Sequence, residues 1–208
     1  MILSLIILYV LTLIYLSIAD RFRNHTTILA LQGLLLFGIA MARLHEFHPV
    51  EMSFIIAETL IFKAVIIPAI LMRVIRMTKI NRIHSASSQF GALVMSIIAL
   101  VASCTITYYM QNNDADVISF GVALYALLSG LILIVMRKRV FAHLVGFLVI
   151  ENGVFLFSMA IGVEFPILIN LAIMLDILIS IFVLGMFLQR MDNQIHTDET
   201  DALTSIKD

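Results

Sequence analysis

Long unbroken apolar stretches alternate with short polar breaks along this chain, and none shows the period-two alternation of a membrane strand. Each stretch approaches the roughly 20 apolar residues that an α-helix needs to cross the hydrocarbon core of a bilayer. Seven such segments are predicted, at residues 2–19, 27–42, 52–72, 90–110, 118–136, 141–162 and 166–188, and the second is the shortest. The pattern therefore predicts an all-α fold, an integral membrane bundle of about seven transmembrane helices. The first segment begins directly after Met1, with no basic stretch before it and no small-x-small cleavage pattern ahead of Asp20 and Arg21. It reads as a retained helix rather than a signal peptide.

Composition agrees. Of 208 residues, 62% are hydrophobic and 13% charged, and the mean hydropathy is +1.07. A soluble domain carries about 25% charged residues, so that class is excluded. A net charge of −1 argues against a nucleic-acid partner. The single cysteine, Cys104, forbids a disulfide within the chain and reads as a small packing residue beside Ser103 and Thr105. Trp is absent, so Tyr108 and Tyr109 are the natural interfacial aromatics.

Charge placement orients the bundle. Eleven of the thirteen Lys and Arg residues fall on one side of the seven-segment threading: Arg21, Arg23, Arg73, Arg76, Lys79, Arg82, Arg137, Lys138, Arg139, Arg190 and Lys207. The opposite side holds Arg43 with Glu46, Glu51, Asp114, Asp116 and Glu164. The positive-inside rule makes the basic side cytoplasmic. The expected localisation is a cell (inner) membrane, multi-pass, with the N-terminus outside and the C-terminus inside. The polar, acidic residues 191–208 read as a cytoplasmic tail.

Two parts of the chain can be superposed. Gln32-Gly33-Leu34-Leu35-Leu36-Phe37 parallels Asn152-Gly153-Val154-Phe155-Leu156-Phe157. Each block follows a basic loop and precedes an outer loop with an acid and a Pro, Glu46/Pro49 or Glu164/Pro166. The helix after that carries one acid near its middle, Glu58 or Asp176. A parallel three-helix repeat is the expectation, with the fourth span as the linker that restores orientation.

The candidate chemistry lies in the ionisable residues inside apolar segments. A charge at the bilayer centre costs roughly 2.5–3.5 kcal/mol on insertion scales, so such residues point to function. They are Glu58, Lys63, Glu151 and Asp176. Five residues apart on an α-helix, Glu58 and Lys63 would point about 140° away from each other and make poor direct partners. Each is expected to face a different neighbour, in proton handling or in a salt bridge to an adjoining subunit. Pro68, one turn beyond Lys63, releases a backbone carbonyl where a kink or water is needed. Asn152 can hold a water beside Glu151, and Gly153 admits a close neighbour. His143, just inside its segment, is a candidate start for a cytoplasmic proton path. His45 and His48 flank Glu46 on the outer side and read as solvated surface rather than a metal site. No phosphate loop, nucleophile elbow, haem motif or CxxC pair is present, so no cofactor is expected and any energy source is a partner or an ion gradient.

A resemblance adds to this reading. Residues 124–190 contain Arg137-Lys138-Arg139, then Gly146-Phe147-Leu148-Val149-Ile150-Glu151-Asn152, and then Leu171-Ala172-Ile173-Met174-Leu175-Asp176. This stretch resembles the NuoK/MrpC family, the small subunits of complex I and of multisubunit cation/proton antiporters. That family carries one glutamate in its middle helix and one in its last. Asp176 stands where the last glutamate is expected, while the first is expected at Leu148 and Glu151 lies one turn on. The whole chain, with Glu58-Thr59-Leu60-Ile61-Phe62-Lys63 and Glu151-Asn152-Gly153-Val154-Phe155, is similar to component E of hydrogenase-4, formate-hydrogenlyase-type membrane complexes.

The resemblance implies a subunit of a complex I-related respiratory or hydrogenase complex that takes part in proton translocation. Its proton-transfer residues would be Glu58, Lys63, Glu151, Asn152, Asp176 and His143. Residues 1–110 would form the N-terminal helices, 111–190 the NuoK/MrpC-like helices and 191–208 the tail. Antiporter-like and quinone-site-like membrane subunits, a peripheral redox arm and lipid are the implied partners. The chain itself would be a non-catalytic part of an oxidoreductase. The alternatives are a subunit of a Na⁺/H⁺ antiporter and a structural membrane anchor.

Overall fold

The computed structural model describes residues 2–19, 21–43, 52–53, 55–78, 89–109, 116–137, 140–161 and 185. Among them the fold is all-helical. Helix α1 spans Ile2–Ile18 and α2 spans Phe22–Arg43. A π-helical segment, Ile56–Ile66, runs directly into α3, Ile67–Thr78. Then come α4 (Gln89–Tyr109), α5 (Val117–Met136) and α6 (Val140–Ile161).

Four of these helices hold stretches long and apolar enough to cross a membrane: Phe22–Arg43, Phe90–Tyr109, Val117–Met136 and Phe141–Ile161. Helix α1 is apolar but only 17 residues long. The segment expected to be shortest, 27–42, is part of a 22-residue helix. The added turn is polar, and its buried side chains find partners in its own backbone carbonyls. Thr26 Oγ1 donates to the Phe22 carbonyl at 3.1 Å, and His25 Nδ1 sits 3.1 Å from the Arg21 carbonyl. Phe22 meanwhile packs edge-on to Phe141 of α6, ring centroids 4.3 Å apart, which draws that turn into the core. The predicted segment 166–188 lies outside the described residues except for Gly185, where a Cβ would lie 3.4 Å from a Val74 methyl of α3.

Helices α5 and α6 form the tightest pair. A Cβ on Gly130 would come within 2.7 Å of the Gly146 carbonyl oxygen, and one on Gly146 within 2.8 Å of the Gly130 carbonyl oxygen. Only glycine at both positions allows the two backbones this approach. Helix α2 is the hub, touching α1, the π-helical segment, α3 and α6. The core is built from Tyr9, Leu13 and Leu16 of α1, Leu36 and Ile39 of α2, Leu71 of α3, Tyr125 of α5 and Leu156 of α6.

Polar ties close the two ends of the bundle. At one end the buried Arg137, just after α5, donates to the carbonyls of Ser17 and Ala19 at 3.0 and 3.3 Å. These are carbonyls at the end of α1, where a cation also complements the helix dipole. At the other end Arg43, last residue of α2, pairs with Asp116 and reaches Ser119 and the Met159 carbonyl. Asp116 is the N-cap of α5. The C-terminal ends of α1 and α5 therefore share one end of the bundle, and Arg43 and Asp116 sit together at the other.

Helix α4 leaves most of its surface uncovered, with 22% of its apolar stretch buried. Val101, Ile98, Tyr108 and Tyr109 stand on the open side. Cys104 is exposed there too, against the expectation of a packed cysteine. Its helix meets α1 and α5 along the other face, where Ser96 bonds to Tyr125 at 2.7 Å, so the Cys104 side has no helix to pack on among the described residues.

Candidate functional site

The site begins with a winding defect. Pro68 has no N–H, so the α-helical bond from position 68 to the Ala64 carbonyl cannot form. Upstream of it the chain winds as a π-helix, and the N–H of Ile67 bonds to the Phe62 carbonyl, five residues back. Thr59 is buried and donates its hydroxyl to the Ile55 carbonyl at 2.7 Å. With bonds spanning five residues, side chains five apart come onto one face.

This overturns one expectation. Glu58 and Lys63 do not point apart; Lys63 Nζ is 3.5 Å from Glu58 Oε1. The 140° separation holds for α-helical winding, and 11 residues here are wound otherwise. Lys63 also reaches α6, where Glu151 Oε1 lies 2.9 Å away. The side chains of Glu58 and Lys63 are 3% exposed and that of Glu151 10%. Phe155, four residues after Glu151 and so on the same face of α6, holds its ring centroid 4.5 Å from Lys63 Nζ. Lys63 is thus clasped by two carboxylates and an aromatic face. Its salt bridge lies within the chain.

Gly33 makes the clasp possible. A Cβ there would fall 2.8 Å from the Ala64 backbone nitrogen and 2.9 Å from the Lys63 carbonyl carbon. The backbone of α2 therefore lies directly on the π-helical segment at the position that carries the ammonium. Gly153 plays a matching part: a Cβ there would sit 3.1 Å from the Leu127 nitrogen of α5. The close neighbour expected at Gly153 is this helix.

A chain of neutral polar groups runs beside the charges. Asn152 Nδ2 donates to Gln32 Oε1 at 3.4 Å, and Gln32 Nε2 donates to Thr12 Oγ1 at 3.2 Å. Thr12 donates in turn to the Tyr9 carbonyl at 2.6 Å. All four residues are buried. The network connects α1, α2 and α6 and ends next to Glu151.

Of the six sequence-predicted proton-transfer residues, the structure brings Glu58, Lys63 and Glu151 together and puts Asn152 alongside. His143 is not with them. It precedes Glu151 by eight residues, about 12 Å along a helix. Its Nε2 donates to the Arg137 carbonyl at 2.8 Å, which ties the start of α6 to the end of α5. Asp176 lies outside the described residues, as do His45, Glu46 and His48. Tyr9, Thr12, Gln32 and Phe155 join the site without having been singled out for it. Gln32 carried a signal, an amide in an otherwise apolar run; the others did not stand out from ordinary helix residues. Among the described residues no group of three or more His, Cys, Asp or Glu is placed to hold a metal ion.

Chemically, the cluster has two acids and one ammonium. With all three charged it carries one negative charge in an apolar interior, and one added proton makes it neutral. Lys63 sits between the acids, so loss of either charge leaves it a partner. No protein-family model, curated protein or solved structure matches the chain.

Proposed function

We propose that this chain is a membrane subunit of a complex I-related respiratory or hydrogenase complex, and that Glu58, Lys63 and Glu151 carry a proton within it. The observation that supports this is the buried acid–lysine–acid cluster held on the π-helical segment and α6. Buried charges are costly even when paired, and replacing such a group with apolar side chains commonly stabilises a protein. A chain that keeps three of them has a use for charge. Protonation of Glu151 removes the carboxylate 2.9 Å from Lys63, and the ammonium then rests on Glu58. Deprotonation reverses the move. The cycle passes one proton while the Lys63 ammonium keeps a carboxylate partner throughout.

The rest of the proposal follows the resemblance to hydrogenase-4 component E and to the NuoK/MrpC subunits. The chain resides in the cell inner membrane with its basic end cytoplasmic, beside antiporter-like and quinone-site-like subunits that serve a peripheral redox arm. Asp176 extends the same proton route. The experiment is proton pumping per electron in membranes, with assembly checked in parallel. Glu58→Gln and Glu151→Gln keep shape and hydrogen bonding while removing the exchangeable acid. They are expected to leave the complex assembled and to cut coupled proton transfer; normal pumping by the double variant would sink the reading.

A second reading, a structural anchor, draws on the close seating of Gly33 and the ring of Phe155 against Lys63. On that reading the Gln variants pump normally while Lys63→Ala loses assembly.

A further inference from the structure

Among the described residues, the Tyr9 hydroxyl and Glu151 Oε2 beside the cluster have no hydrogen-bond partner. Tyr9 is fully buried and Glu151 nine-tenths so. An orphaned buried hydroxyl or carboxylate oxygen costs about 1–3 kcal/mol or more, and native interiors satisfy such groups. The two belong to one neighbourhood. A hydrogen-bond chain runs from the Tyr9 carbonyl through Thr12 and Gln32 to Asn152, the residue after Glu151. The Thr12–Gln32–Asn152 chain fixes α1 to α6 beside both. Lys63 has a third donor left after its two carboxylates, and its Nζ is also buried.

We infer that an ordered water is bound between the Tyr9 hydroxyl and Glu151 Oε2, and that Tyr9 is the positioning residue that holds it. Buried waters typically make about three hydrogen bonds to otherwise unsatisfied groups. Here Tyr9 Oη, Glu151 Oε2 and the third Lys63 donor supply them. The water gives Glu151 a proton partner other than Lys63. A proton arriving on the water passes to Oε2, the oxygen that does not face the ammonium, while Oε1 keeps its contact. The site then has two sides, one wet through Tyr9 and one closed by Lys63. The functional part rests on the proton-transfer reading above; the water itself does not.

The test is infrared spectroscopy of the purified full-length chain in lipid nanodiscs, comparing H₂¹⁶O with H₂¹⁸O. Glu151→Gln identifies the carboxylate bands of Glu151 by difference. The wild type is expected to show an ¹⁸O-sensitive O–H band of a strongly bonded water. Tyr9→Phe keeps the ring and removes only the hydroxyl; it is expected to lose that band and to shift the Glu151 carboxylate bands. A Tyr9→Phe spectrum identical to wild type would overturn the inference. So would a shift of the Glu151 bands with no ¹⁸O-sensitive band in the wild type, which would mean direct contact between the two side chains. If Tyr9→Phe melts far below the wild type, the wild-type band and its loss in Glu151→Gln decide the question alone. These readouts need no transport activity, so they stand whether or not the chain proves to move protons.

Discussion

Asn152 of α6 donates a hydrogen bond to Gln32 of α2, and the two residues occupy matching places in the two similar blocks of the chain. Each is followed by a glycine that seats a neighbouring backbone, Gly33 on the π-helical segment and Gly153 on α5. The amides meet because both helices present the same polar-then-small pair to the bundle interior. An amide each side of the contact leaves no apolar group facing an unsatisfied dipole. Gln32→Leu would orphan Asn152, and Asn152→Leu would orphan Gln32. Each single change is expected to cost more, at about 1–3 kcal/mol, than half of the double change. Thermal melts of the three variants in detergent provide the cycle.

Gly33→Ala tests the seating of α2. Its Cβ would overlap backbone atoms of Lys63 and Ala64, which cannot rotate aside. Gly38→Ala, on the same helix, meets only the flexible Leu5 side chain at 3.3 Å. The first is expected to lose about 1–3 kcal/mol, as overpacking does, and the second much less. Equal melting temperatures would show that α2 does not bear on the π-helical segment as described.

Lys63→Met leaves two carboxylates together without their cation. Breaking a buried pair by removing one partner costs about 3–5 kcal/mol. Lys63→Met combined with Glu151→Gln is expected to recover part of that loss, since less charge remains uncompensated. If the double variant were as unstable as the sum of the single ones, Lys63 and Glu151 would not be partners.

Asp116 serves two purposes at the other end, N-cap of α5 and partner of Arg43. Asp116→Asn keeps a good cap and loses the ion pair, which is 41% exposed on the Asp side and so worth under about 1 kcal/mol. Asp116→Ala loses the cap as well, for about 1 kcal/mol more. The ordering wild type, Asn, Ala in melting temperature is the expected result.

For topology, a reporter active only in the cytoplasm should work within residues 73–82 and fail at Asp114. Activity at Asp114 would reverse the proposed orientation. The structure sets Arg137 against the end of α1 at one end and the Arg43–Asp116 pair at the other.

Much of this was legible along the chain. Unbroken apolar runs announce membrane-length helices because lipid offers the backbone no partners. The charged residues worth attention stood out for the same reason. What the pattern could not give was their company. The Glu58–Lys63 pairing depends on winding, and winding here answers to the missing N–H of Pro68 and to the backbone contact at Gly33. Counting at 3.6 residues per turn placed the two side chains apart. The Lys63–Glu151 contact spans 88 positions and depends on which helices pack, for which hydropathy carries no information. Tyr9 looked like one more aromatic in an apolar run until its hydroxyl was seen to end in the interior.

The pairing of Glu58 with Lys63 inside one helix bears on how the chain is made. Helices enter the bilayer as they are synthesised, and α3, α4 and α5 lie between the π-helical segment and α6. A lone ammonium would face lipid until Glu151 arrived. With its own carboxylate five positions earlier, the segment brings its counter-ion with it and can be inserted as a neutral unit. Glu151 then joins a pair already formed.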